Sequence, residues 1–158
     1  MIVGNKKSFA VEFTQSESNP KMGFGKIWIQ NQFYGTNEDL IYFNGYLISL
    51  LDELLNLKTV EFKHDNLSEL ELFNCFENIE NENDYLINGS TFTDDFIAYG
   101  FEKKGYVHLI WKIKNDKEIL FSDLKNYGTD VKFCYSEKAE IEKIKNELLE
   151  KVSKQKRT

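Results

Sequence analysis

The chain has few of the residues that most often carry chemistry. Its two cysteines, Cys75 and Cys134, lie far apart without metal-type spacing, so neither a disulfide framework nor a zinc ribbon is encoded. Both thiols are expected to be small, partly buried core residues of a reduced, cytoplasmic protein. There are two histidines, His64 and His108. His64-Asp65 with Glu69 offers three ligand types near a helix start, but zinc needs four ligands, or three and a water, and no other histidine is near. There is no Gly-x-Ser-x-Gly elbow, no phosphate loop and no Cys–His motif. Gly23-x-Gly25 lacks the third glycine and the following helix of a dinucleotide fingerprint, and is expected to be a hairpin turn. Asp94-Asp95 is a carboxylate pair, but neighbours on a strand point to opposite faces and do not converge on one substrate. No metal and no cofactor are therefore expected. Long apolar runs are missing too. Met1 to Thr14 has no basic start followed by an apolar core, and the segment from Leu40 to Leu55 is broken by Asn44, Gly45, Asp52 and Glu53. Neither a signal peptide nor a membrane span is predicted. Pro20 and Arg157 are the only proline and arginine; with abundant Asn they reflect the coding bias of an AT-rich genome and exclude no mechanism.

What is present is aromatic and patterned. Thirteen Phe and eight Tyr occur in 158 residues, a length that folds as one domain and buries roughly 70% of the surface its unfolded chain exposes. Phe9, Val11 and Phe13 alternate with Ala10, Glu12 and Thr14, the period of a half-buried strand. Residues 15–21 read as a loop and 26–30 as its hairpin partner. Thr36 or Asn37 is the expected N-cap of a helix whose apolar stripe is Leu40, Phe43, Leu47, Leu50, Leu51 and Leu54, loosened at Gly45. Thr59–Phe62 is a connection or short strand. Asn66-Leu67-Ser68-Glu69 reads as the start of a second, shorter helix, with Leu67, Leu70, Leu72, Phe73 and Phe76 apolar, and a long polar loop covers 77–90. A hairpin follows, 95–102 and 106–114, with Val107, Leu109, Trp111 and Ile113 toward the core. After a possible edge strand at 119–121, Val131, Phe133 and Tyr135 alternate. Ser136 is the expected cap of a last helix striped by Ile141, Ile144, Leu148 and Val152. The fold class predicted is α+β: a single domain over residues 1–153, with an antiparallel sheet of about five or six strands, helices packed on it, and a basic tail at 154–158.

The opening string, Ile2, Gly4 and Asn5 followed by Phe9-Ala10-Val11-Glu12, resembles the start of a family of bacterial polymorphic-toxin immunity proteins, the partners of contact-dependent growth inhibition toxins. The helix after the first hairpin and the Trp-Lys ending at Trp111-Lys112 continue the resemblance, whereas Asn31-Gln32 stands where the family has a glycine turn. The resemblance implies a cytoplasmic, non-catalytic protein that binds and neutralises the C-terminal domain of one cognate toxin.

Charge distribution is compatible with that function. From His64 to Glu102 there is no Lys or Arg, while Asp65, Glu69, Glu71, Glu77, Glu80, Glu82, Asp84, Asp94, Asp95 and Glu102 all fall there. Such a run is ordinarily a solvated surface. As a binding surface it disfavours nucleic acid, which needs clustered Lys and Arg, and fits a basic protein such as a nuclease toxin. Glu77, Glu80, Glu82 and Asp84 are the expected contacts, with Glu69 and Glu71 next and Tyr85 and Phe92 as aromatic anchors. The alternative is a small enzyme or ligand-binding module with a pocket near His108, a residue placed opposite Trp111 with Tyr106 and Ile110 beside it. No membrane partner is expected, and oligomeric state is left open.

Overall fold

The computed structural model describes residues 1–114 and 118–154, so of the expected tail only Lys154 is described, as the last residue of a helix, and 155–158 lie outside the described residues. The fold is α+β, with every strand pair antiparallel, and the strands divide into two sheets. The first runs β1 (Ile2–Asn5), β2 (Phe9–Gln15), β3 (Met22–Ile29) and β4 (Gln32–Tyr34), with β5 (Ile41–Tyr42) also on β3. The second is β6 (Phe96–Lys103), β7 (Tyr106–Ile113) and β8 (Lys132–Glu137).

Period-two patterning governs the first sheet as expected. Phe9 sits opposite Ile29, Val11 opposite Ile27 and Phe13 opposite Gly25, and all but the glycine are large apolar residues of the core. The β3–β4 turn closes on Gln30 and Asn31, both with positive φ (48° and 65°), so two amide side chains do what a glycine does elsewhere. Gly23 and Gly25 are not the hairpin turn. They lie inside β3, where a Cβ on Gly23 would come within 2.1 Å of the Thr14 carbonyl oxygen and 2.7 Å of the Phe43 ring. The backbone of β2 and the Phe43 ring together crowd that position so closely that only a bare backbone fits.

The helix that carries Phe43 also differs from its expected form. Thr36 and Asn37 do not cap it: the Thr36 hydroxyl donates to Asp123 at 2.7 Å and the Asn37 amide donates to Glu12. Leu40 is exposed and Ile41 enters β5. The chain then winds as a π-helix over Phe43–Ile48 and becomes α-helical only in α1 (Ser49–Leu54). The segments 59–62 and 119–121 form no strand.

Helix α2 (Glu69–Asn78) carries a complete capping box: Ser68 Oγ accepts from the Glu71 N–H, and the Glu71 carboxylate accepts from the Ser68 N–H. Helix α3 (Lys138–Lys154) follows β8 directly, so Ser136 belongs to the strand and not to the cap. Its stripe Ile141, Ile144, Leu148 and Val152 is buried as predicted, and α3 packs on β1, β2 and α1.

The second sheet separates two cores. Val107, Leu109, Trp111 and Ile113 face the larger one, shared with the first sheet, α1 and α3. Tyr99, Phe101 and Ile110 face a smaller aromatic core roofed by Leu72, Phe73 and Phe76 of α2. Cys134 is buried, but Cys75 is exposed, because it falls on the side of α2 away from that apolar stripe.

Candidate functional site

Tertiary folding redistributes the acidic run. Lysines from outside it return to several of its carboxylates: Lys103 lies 2.9 Å from Asp65, Lys58 2.9 Å from Asp84, and Lys138 3.1 Å from Glu102. The hydrogen bond and charge of Lys58 hold the Asp84 carboxyl below its usual range, and Lys103 does the same for Asp65. Glu82 is engaged as well, accepting a 2.6 Å hydrogen bond from the Tyr99 hydroxyl. Burial, reinforced by that carboxylate, pushes the Tyr99 phenol up. Glu71 is taken up in the capping box.

Asp94 lies 3.9 Å from Lys114 and Asp95 is only partly exposed just before β6, which leaves Glu69, Glu77 and Glu80. All three are exposed and make no hydrogen bond or ion pair among the described residues. Glu69 stands at the head of α2, on the wall of a polar cleft of about 500 Å³ that also involves Gln30, Gln32, Asp130 and Lys132. Glu77 lies eight residues further along the helix, an axial distance of about 12 Å at 1.5 Å per residue. These acids thus form two separate points of negative charge and not one cluster.

Tyr85 and Phe92 are not available as anchors on this surface. Their side chains are 3% and 1% exposed. Tyr85 packs against Phe76 and donates its hydroxyl to the Thr59 carbonyl at 3.1 Å. Phe92, from a 3₁₀ turn over Thr91–Thr93, plugs the larger core. Large aromatic rings next to acids in sequence are drawn inward because burial of that area outweighs exposure in a loop.

His108 does lie on the face opposite Trp111, as expected. Its ring stacks on Phe101 at 4.7 Å with a 6° tilt, and Phe133 and Tyr135 complete the surround. Burial lowers its pKa, and the charges of His64 and Lys103 act in the same direction, against a hydrogen bond that Nδ1 makes to the Tyr106 carbonyl oxygen. A cleft of about 590 Å³ exists, but Tyr34, Ile87, Ser90, Asp94, Phe96 and Lys114 line it, not His108.

Sequence reasoning missed the exposed apolar side chains. Leu40, Tyr42 and Tyr46 project around the π-helix, and Tyr106 and Tyr135 meet edge to face at 5.9 Å at the outer end of the second sheet. A helical stripe drawn from Leu40 assigns Leu40 to the core; only the entry through β5 turns it outward.

Comparison with known proteins gives two matches. A family model described as Immunity protein 42 matches residues 1–151. Among solved structures, the crystal structure of CdiI from Burkholderia dolosa AUO158 is similar at 15% sequence identity, with a TM-score of 0.62, covering 96% of this chain and 99% of that one. Curated proteins give no match.

Proposed function

The chain belongs to the Immunity protein 42 family, a family of toxin-neutralising immunity proteins, and from that premise we propose that it works as a non-catalytic inhibitor in the cytoplasm, binding the C-terminal domain of one cognate, basic toxin. The observation that carries this is the family match across residues 1–151. Charge supports the basic partner: the protein is acidic overall, at −6, and Glu69, Glu77 and Glu80 are exposed without a partner among the described residues. A nuclease is the toxin class that fits best, because an active site that holds nucleic acid must be basic. Carboxylates facing it speed association and set specificity. Glu82 and Asp84 contribute to the field of the patch while remaining tied to Tyr99 and Lys58.

The test is co-expression with the C-terminal domain of the toxin encoded beside this chain's gene. Growth protection and co-purification in a one-to-one complex are expected. Protection without physical association would overturn direct inhibition, and the absence of both would overturn the immunity role for this toxin.

A further inference from the structure

A second stretch free of Lys and Arg runs from Ile27 to Leu57 and contains Glu38, Asp39, Asp52 and Glu53. Its fold is unusual at its centre. Leu40 and Tyr42, two apart on an extended segment, share one side, while Ile41 between them is fully buried. The π-helix then widens the first turn. Phe43, Leu47 and Ile48 point inward, leaving Asn44, Gly45 and Tyr46 outside. The Tyr42 ring lies over Gly45, where a Cβ would sit 3.1 Å from it. The result is three large apolar side chains, Leu40, Tyr42 and Tyr46, exposed by 48%, 40% and 37% respectively. Single exposed apolar residues are ordinary, but a group of them containing two tyrosines, at and just before a π-helix, is a pattern of contact surfaces.

Beside Tyr46 a notch of about 450 Å³ opens between this helix and the segment 88–93. Tyr46, Ser49, Glu53, Asn88, Ser90 and Thr91 are among its walls, and no Lys, Arg or His lines it. Glu53 is the only charged group there. One carboxylate oxygen, Oε1, accepts from the Asn88 N–H at 2.5 Å, and the other has no partner among the described residues. Desolvation raises its pKa, against the pull of that single hydrogen bond. A half-buried carboxylate with one oxygen unpartnered, in the wall of a notch that Tyr46 also lines, has an obvious complement: a cation on a long apolar stem.

We propose that this notch is a docking pocket for a Lys or Arg side chain of the toxin domain, its stem lying against Tyr46 and its charge meeting Glu53. The proposal rests on the immunity role and adds where the apolar part of the contact lies. Glu77 and Glu80 act at a distance through their field; the notch holds one basic residue by contact. Aromatic anchors at the centre of an interface, with a desolvated charge pair beside them, carry most of the affinity in typical complexes.

The experiment is calorimetric titration with the same toxin domain, using the wild-type chain, Tyr46→Ala, Glu53→Gln and Ser49→Arg. Glu53→Gln keeps an acceptor for the Asn88 N–H. Ser49 is exposed, so Ser49→Arg fills the notch with its own cation without touching the core. Thermal melts establish that each variant is folded. Tyr46→Ala and Glu53→Gln are expected to weaken binding at least tenfold, and Ser49→Arg to weaken it a hundredfold or more. Wild-type affinity in folded Glu53→Gln and Ser49→Arg, with the wild-type chain still binding, would overturn the notch and leave the immunity role intact. Failure of the wild-type chain itself to bind or protect would instead overturn the role on which the notch depends.

Discussion

Trp111 is held by more than packing. Its indole Nε1 donates to the Tyr127 hydroxyl at 2.7 Å, and that hydroxyl donates onward to the Phe33 carbonyl, so one phenol joins the second sheet to the first. Burial pushes the Tyr127 phenol up, which keeps it protonated and able to donate. Trp111→Ala is expected to cost about 3–5 kcal/mol, read from the urea midpoint. Tyr127→Phe leaves an indole N–H and a carbonyl without their shared partner, and about 1–3 kcal/mol is expected; an unchanged midpoint would remove the bridge from the stability of the fold. The thiols make a second contrast. Burial pushes Cys134 up to about 11, while Cys75 is exposed. A thiol reagent at neutral pH should label Cys75 in the native state and Cys134 only on unfolding. His108 links charge to stability. Its folded pKa lies below the unfolded value of about 6.5, so the folded state binds the proton more weakly. Stability is then level above about pH 6.5 and falls as pH drops through that value. His108→Phe retains the stack on Phe101, and its denaturation midpoint should lose less between pH 7 and pH 5 than the wild type does.

At the scale of elements, α2 and the π-helix show two kinds of helix start. Helix α2 begins where local chemistry dictates, at a Ser68–Glu71 capping box ahead of Leu72, Phe73 and Phe76. Ser68→Ala removes the acceptor for the Glu71 N–H and should cost about 1 kcal/mol, measured by thermal melt. The smaller aromatic core loosens with it, because that helix is its roof. The first helix begins where tertiary contacts dictate. The Phe43 N–H donates to the Lys21 carbonyl, Tyr42 pairs with Met22, and Gly23 lets the Phe43 ring approach β3. Strand pairing holds the chain extended through Tyr42, so winding starts late and wide.

For the whole molecule, the net charge of −6 is less concentrated than the sequence order implies. Lys58, Lys103 and Lys138 come from outside the acidic run to meet Asp84, Asp65 and Glu102, and exposed pairs of this kind contribute little to stability. Their main effect is on the field that a partner meets. Of the acids left over, Glu69, Glu77 and Glu80, the latter two are where charge reversal should act on binding and not on folding. Glu77→Lys with Glu80→Lys is expected to slow association with the toxin domain severalfold at low salt and to flatten the dependence of the rate on ionic strength. Reversal of Glu142, exposed on α3, should change neither. Equal association rates for the two double-charge states, measured by stopped flow, would remove this end of α2 from the encounter surface.

The sequence by itself determined the α+β class, the β2–β3 and β6–β7 hairpins, the Trp111 face, the presence of helix α2 and the buried stripe of α3. Each follows from a period or a helix-start signal acting within a few residues, where local sterics and hydrogen bonding suffice. The short opening motif also pointed to an immunity family, and the match over residues 1–151 places the chain in one. Only the tertiary structure decided how the strands divide between two sheets, and that Gly23 and Gly25 lie within a strand. It alone decided that the chain winds as a π-helix after Tyr42, that Tyr85 and Phe92 turn inward, and which carboxylates keep no lysine. Those outcomes depend on contacts between segments distant in the chain: Gly23 with Phe43, Lys58 with Asp84, Tyr127 with Phe33. Side-chain burial and charge pairing are set by what approaches from elsewhere in the fold, and no window of local sequence contains that partner.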